Sequence, residues 1–311
     1  MSTLWSFPGQ GAQRAGMLHT LLDLPPLRDC LDEAGDALGE DPLRLDSAEA
    51  LQDTRAVQLC LLLAGVAAAR LLMARGLAPD YVAGLSIGAY AAAVTAGALD
   101  FADAVRLVSL RGRLMQEAYP AGYGMTAING LDLPTVERLV GEVRGSGSPV
   151  YLANINADNQ VVIAGSEAAM AAVAGRARDA GAGAAKRLAV SVPSHCELLA
   201  GPAERLAEAF AAVRLRRPQY RYLSGSSARL LVDPDKLRDD LAYNLCRVVD
   251  WHATLHSARE RGVRLHLELP PGTVLSGLAR RVFEPCRIIA FQGTRPDSLD
   301  ALLRREVSQE P

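Results

Sequence analysis

The stretch "VAGLSIGAYAAA", residues 82–93, sets Ser86 between Gly84 and Gly88, after an apolar run and ahead of a string of alanines. In such a G-x-S-x-G pattern a strand turning sharply into a helix lifts the middle side chain into the open. Glycines on either side remove side chains that would clash there. The pattern alone leaves two readings open: a nucleophile's turn, or a tight helix-on-strand contact in a chain rich in Ala and Gly. Around it, through the first 120 residues, short apolar runs ("LWSF", "YVAGLS") alternate with long Ala- and Leu-rich stretches of helical character. That alternation predicts a parallel sheet covered by helices.

The pattern changes at residue 124. The order becomes strand, helix ("PTVERLVGEVR"), two strands within "VYLANINADNQVVIAG" turning at 157–159, helix ("SEAAMAAVAGRARDAG") and strand ("AKRLAVSV"). A β-α-β-β-α-β order is the ferredoxin-like arrangement, so residues 124–193 are expected to form a small subdomain. It would be inserted into a larger α/β body made of residues 1–123 and 194–311. The body ends with a strand, Pro-Gly turn and helix in "RLHLELPPGTVLSGLARRV" and a strand in "CRIIAFQG".

The 311 residues are half apolar and carry a net charge of −2, so no chain-wide basic field is available for nucleic acid or an anionic membrane. Cys30, Cys60, Cys196, Cys246 and Cys286 form no C-x-x-C pair, which fits free thiols in a reducing compartment. The N-terminal "MSTLWSFPGQG" lacks the basic start and apolar core of a secretory signal, and the expectation is a cytoplasmic protein. The longest apolar run lies between Arg55 and Arg70 and is broken by Gln58. It reads as a buried helix too short to span a bilayer.

A nucleophilic serine needs a base, and the histidines are His19, His195, His252, His256 and His266. His195, in "VSVPSHCELL", falls where the insert would return to the body, and clefts favour such junctions. Position alone leaves a core role equally open. His252 and His256 share a helix face, but no glutamate stands between them in H-E-x-x-H fashion and no third ligand is evident, so no metal is expected. In "DFADAVRLVSLRGRLMQ", with Asp100 as N-cap, Arg111 falls near the middle of an apolar arc of Ala104, Leu107, Val108, Leu114 and Met115. A core-facing guanidinium requires an anion, either an internal Asp or Glu or the carboxylate of a substrate. Finally, glycines around Gln10 in "FPGQGAQ" allow backbone N–H groups to approach a ligand, as in an oxyanion hole, and no G-K-[ST] of a phosphate loop follows.

Together "FPGQGAQ", "GLSIGAY", "DFADAVRLVSLRGRLMQEA", "NQVVIAG", "VSVPSHC" and "PPGTVLSGL" resemble the malonyl-CoA:acyl carrier protein transacylase family, in order and nearly end to end. The resemblance implies a hydrolase-like parallel-sheet body with a ferredoxin-like insert. It implies Ser86 as the acylated nucleophile, His195 as its base, and the N–H groups of Gln10 and Ile87 as the oxyanion hole. Arg111, Asn244 and Leu85 are the substrate-binding positions it implies, with Arg111 gripping the malonyl carboxylate and the Asn244 backbone carbonyl orienting the histidine. No metal and no permanently bound cofactor are implied; the partners are malonyl-CoA and the thiol of a carrier protein. Most members read G-H-S-x-G-E, whereas this chain has Leu85 and Ala89 at the variable places. With "YPAGYGM" at 119–125 and "RAGML" after "GQGAQ", that form resembles the transacylase subunit of malonate decarboxylase, whose carrier bears a dephospho-CoA-derived arm. The alternative is the transacylase of fatty-acid or polyketide synthesis. A serine hydrolase using His266 fits neither the insert nor the glutamine loop, and an inactive docking subunit would not need Ser86, His195 and Arg111 together.

Overall fold

The computed structural model describes residues 2–119 and 121–308; Pro120 of "YPAGYGM" lies outside the described residues. The chain opens with β1 (Ser2–Phe7) and continues through α1 (Pro25–Leu38) and α2 (Thr54–Ala74) to β2 (Tyr81–Gly84), α3 (Gly88–Thr95) and α4 (Phe101–Ala118). Local chemistry starts the helices. Asp53 caps α2 by accepting the N–H groups of Arg55 and Ala56, and Asp100 caps α4 through Ala102. At 21 residues α2 is long and apolar enough to cross a bilayer, so its length does not exclude that role as the sequence reading held. Burial identifies it as a core helix: 89% of its apolar window lies inside the fold, packed among α1, α3 and α4.

The insert follows as β3 (Tyr123–Asn129), α5 (Leu133–Gly145), β4 (Val150–Ala157), β5 (Gln160–Ser166), α6 (Glu167–Asp179) and β6 (Ala184–Arg187). The body then resumes with α7 (Ala200–Phe210), β7 (Arg221–Leu223), β8 (Leu230–Leu231), α8 (Pro234–Tyr243), β9 (Val249–Asp250) and α9 (Trp251–Glu260). It ends with β10 (Val263–Glu268), α10 (Val274–Phe283), β11 (Arg287–Ala290) and α11 (Pro296–Ser308).

The body sheet runs β11-β10-β1-β2-β7-β8, parallel except for β8 at its edge. The second sheet runs β6-β3-β5-β4-β9, and its first four strands have the ferredoxin-like order. Two features depart from the sequence pattern. First, β6 stops at Arg187 rather than running on to residue 192. Val190 and Val192 instead leave the sheet and are buried in the main core of the body. Second, the two-residue β9 comes from the body and pairs parallel with β4, Asn154 opposite Val249 and Ile155 opposite Asp250. The β4–β5 turn is held to the body as well. His252 Nε2 on α9 lies 2.9 Å from Asp158 Oδ1, and Arg281 Nη1 on α10 donates to Asn159 Oδ1 at 3.0 Å.

The register of β1 against β2 puts Phe7 opposite Gly84, so the loop after β1 and the turn after β2 leave the same edge of the sheet side by side. In an open parallel sheet this carboxyl edge is where ligands bind. The turn is as tight as backbones permit. A Cβ on Gly84 would lie 2.0 Å from the carbonyl carbon of Gly88, and one on Gly88 would lie 2.1 Å from the carbonyl oxygen of Phe7. Ser86 between them has φ +56°, a left-handed conformation that costs a non-glycine residue about 1–3 kcal/mol. Because the atoms met by a new Cβ are backbone, Gly88→Ala is expected to destabilise the protein by at least about 3 kcal/mol and to remove activity, as read by chemical denaturation and an activity assay. A wild-type melt would show that α3 can slide away from β1.

Candidate active site

Ser86, His195, Arg111 and Asn244, spread over 159 positions of the chain, meet at the end of the body sheet. His195 arrives by the stretch that leaves β6. Its own φ is +64°, its N–H donates to the Leu245 carbonyl at 2.8 Å, and the ring is buried. The Asn244 carbonyl lies 2.7 Å from Nδ1, and a carbonyl only accepts, so Nδ1 carries the proton. Nε2 is thereby left as an acceptor, 2.8 Å from Ser86 Oγ. The pair has the reach and the tautomer for proton transfer from the serine. Burial first, and then the charge of Arg111, lower the His195 pKa to about 4, so the ring is neutral at ordinary pH. The neighbouring Cys196 is an inert thiol: burial pushes its pKa up to about 12 and its Sγ is bonded to the Pro193 carbonyl.

Arg111 is fully buried and its partners are neutral. Nη1 donates to Gln58 Oε1 at 2.7 Å, and Nη2 to Asn244 Oδ1 at 3.1 Å and to Ser86 Oγ at 3.4 Å. The internal ion pair left open by the helix pattern is not present among the described residues. Desolvation brings the guanidinium pKa down to about 10, still charged at neutral pH. Three of its five N–H bonds are used, and Nε has no partner among the described residues.

Asn244 is buried behind Ser86 and His195 and does not line the cleft. Its carbonyl takes the histidine, its Oδ1 takes Arg111 and its Nδ2 donates to the Ser86 carbonyl at 3.2 Å. The side-chain part of that role, and Gln58 as the tether of Arg111, were not foreseen from the sequence. The only signal for Gln58 was its amide within an otherwise apolar helix.

A cleft of about 450 Å³ reaches Ser86 and His195 between the body and the insert. Gln10 lines it, while Ile87 is buried at the start of α3. Leu85 is half-buried, lines the cleft and packs against the cluster that contains Leu275 and Leu278 of α10. A Cβ on Gly9 would lie 2.6 Å from its Cδ2. Of the remaining histidines, His266 is buried on β10 with Nε2 2.8 Å from Ser6 Oγ, so it is committed within the sheet. His252 pairs with Asp158 and stacks edge-on with His256, and no cluster of three metal-ligating side chains occurs among the described residues.

A hydroxyl and an imidazole so paired, at the carboxyl edge of a hydrolase-like sheet, belong to the chemistry of acyl groups. Comparison with known proteins agrees. The family model described as the acyl transferase domain matches residues 4–303. The malonyl CoA-acyl carrier protein transacylase of Haemophilus influenzae is 40% identical over 89% of this chain and 90% of its own. The protein of the same name from Escherichia coli K12 is 39% identical over 96% and 97%. The crystal structure of FabD from Acinetobacter baumannii superposes with a TM-score of 0.92 at 39% identity, covering 99% of each chain. A malonyl-transacylase solved in complex with a type II polyketide acyl-carrier protein gives 0.91 at 37% identity, covering 98% of this chain and all of that one. The chain belongs to the malonyl-CoA:acyl carrier protein transacylase family of acyltransferases.

If His195 serves as the base for Ser86 it acts only when neutral, and its lowered pKa then fixes the acid limb of the pH profile. The kcat/KM of acylation should hold down to about pH 5 and fall with a midpoint near 4, well below the ordinary value of 6.5. A pH series of rapid-mixing measurements checks this; a midpoint near 6.5 would mean that the ring is open to water.

Proposed function

We propose that this chain moves a malonyl group from malonyl-CoA, through an ester on Ser86, to the thiol of an acyl carrier protein. The observation that carries this reading is Arg111: a buried, charged guanidinium with no carboxylate partner among the described residues, 3.4 Å from the Ser86 hydroxyl. It lies off the cleft wall, behind Ser86; in a malonyl ester on Oγ the free carboxylate stands one methylene beyond the ester carbonyl, and pairing with Arg111 would take the place of the Nη2 contact to Oγ. Burying this charge is costly until such an anion arrives.

The steps follow from the geometry. His195 Nε2 takes the Ser86 proton as Oγ attacks the thioester carbonyl, and the oxyanion faces the N–H groups of Gln10 and Ile87, neither of which has a partner among the described residues. The carbon–sulfur bond breaks and CoA leaves with the proton from His195. The carrier thiol then gives its proton to the same nitrogen and attacks the ester, and Ser86 departs reprotonated. The carrier we favour is an ordinary phosphopantetheine-bearing protein of fatty-acid or polyketide synthesis, the alternative reading of the sequence. The names of the relatives support it over the carrier subunit of malonate decarboxylase. Leu85 and Ala89, in place of the more usual histidine and glutamate, favour the decarboxylase carrier, and offering both carriers to the malonyl-enzyme decides between them. With all five cysteines as free thiols, we place the reaction in the cytoplasm.

Mixing with malonyl-CoA should add one malonyl group at Ser86 by mass spectrometry, and Ser86→Ala should give none while melting as the wild type does. An adduct on Cys196 would overturn the assignment. For Arg111→Ala, kcat/KM for malonyl-CoA should fall at least about tenfold to a hundredfold, the worth of a charge-assisted bidentate contact, while acetyl-CoA is spared or improved. Arg111→Lys should restore little, because an ammonium lacks the fork. A parallel fall in both substrates would remove the carboxylate receptor from the mechanism.

A further inference from the structure

Gln58 sits on α2, and from Ala56 to Ala69 it is the one side chain able to form a strong hydrogen bond apart from Cys60, a weak donor. It is 1% exposed, so both ends of its amide need partners. They have them on one face of α4. Oε1 accepts from Arg111 at 2.7 Å, and Nε2 donates to the sulfur of Met115, four residues further on, at 3.3 Å. The orientation is fixed by chemistry, since a guanidinium only donates and a thioether can only accept. The amide oxygen therefore always faces Arg111.

We propose that Gln58 is a specificity-determining positioning residue: a neutral acceptor that aims the Arg111 guanidinium at Ser86 while leaving its charge uncompensated for the carboxylate of the incoming acyl group. The inference rests on the functional reading given above and names the residue that makes it selective. A glutamate has almost the same shape and would hold Arg111 in the same place. It would also neutralise it, and a malonyl carboxylate would then meet a second anion in a dry site. The rest of the fold respects the same rule. The three buried acidic side chains among the described residues are all bonded elsewhere: Asp46 to Leu18 and His19, Asp240 to Tyr222 and Ser224, and Glu268 to the N–H groups of Leu275 and Ser276.

The test measures kcat and KM for malonyl-CoA and acetyl-CoA in wild type, Gln58→Glu, Gln58→Met and Arg111→Ala, with a melting curve for each. Gln58→Glu should lower malonyl kcat/KM on the order of a hundredfold and leave acetyl within about threefold, collapsing the preference. Gln58→Met removes the acceptor and keeps the charge. It should lower malonyl kcat/KM roughly tenfold, chiefly through KM, with malonyl still preferred. A merely structural amide would lower both substrates together along with the melting temperature, and that result overturns the proposal. So does a wild-type malonyl-to-acetyl ratio in Gln58→Glu or, if that variant does not fold, malonyl kcat/KM within twofold of wild type in Gln58→Met. A wild type without preference for malonyl would sink the functional reading itself. A wild-type preference that Arg111→Ala abolishes and Gln58→Glu retains sinks only the role of Gln58.

Discussion

The contact on which the rest of the architecture depends is the approach of the first residue of α3 to the last carbonyl of β1. Gly88 lies against the Phe7 oxygen with no room for a methyl group. That single approach settles several placements at once. It puts the turn after β2 beside the loop after β1, where the Leu85 N–H donates to the Phe7 carbonyl at 3.0 Å. It holds Ser86 in a left-handed conformation that a looser turn would relax, and it leaves Gln10 lining the cleft next to Ser86. The sharp turn that carries Ser86 and the helix-on-strand contact are one piece of backbone, and under the proposed function that piece is also the nucleophile's turn.

Around this turn the site is arranged by charge. A neutral histidine and a positive guanidinium stand close enough for the second to depress the pKa of the first, and Asn244 separates their roles. Its carbonyl fixes the imidazole tautomer, its side-chain oxygen steadies the guanidinium and its NH₂ group ties both to the Ser86 carbonyl. No aspartate is needed behind the histidine. An anionic partner there would bring a negative charge close to the guanidinium and, under the proposed function, weaken its attraction for an acyl carboxylate.

The legible parts of the sequence were those whose reasons are local. Ser86 was visible from the glycines on either side, and Arg111 from helical periodicity, because a charge in an apolar arc demands an explanation within a few turns. The ferredoxin-like insert was visible from its order of periods. What stayed hidden depended on partners far away in the chain. Gln58 looked like a blemish in an apolar run until α4, 53 positions later, supplied Arg111 to its oxygen. The early end of β6 could not be read either, because Val190 and Val192 alternate like strand residues whether they face their own sheet or the core of the body. Nor could β9, since two residues carry no period at all.

That short strand bears on how the two long-armed thiols of the proposed reaction would take turns. Through β9 the insert shares a hydrogen-bonded sheet with the body, and the β4–β5 turn is fastened again at Asp158 and Asn159. Cleft walls joined in this way are linked through backbone as well as side chains. Under the proposed reaction both arms must reach the same Ser86, so the first has to leave before the second can react there. The alternation of donor and acceptor would then be a rule of single-lane traffic at one serine, in a cleft whose two walls share a sheet.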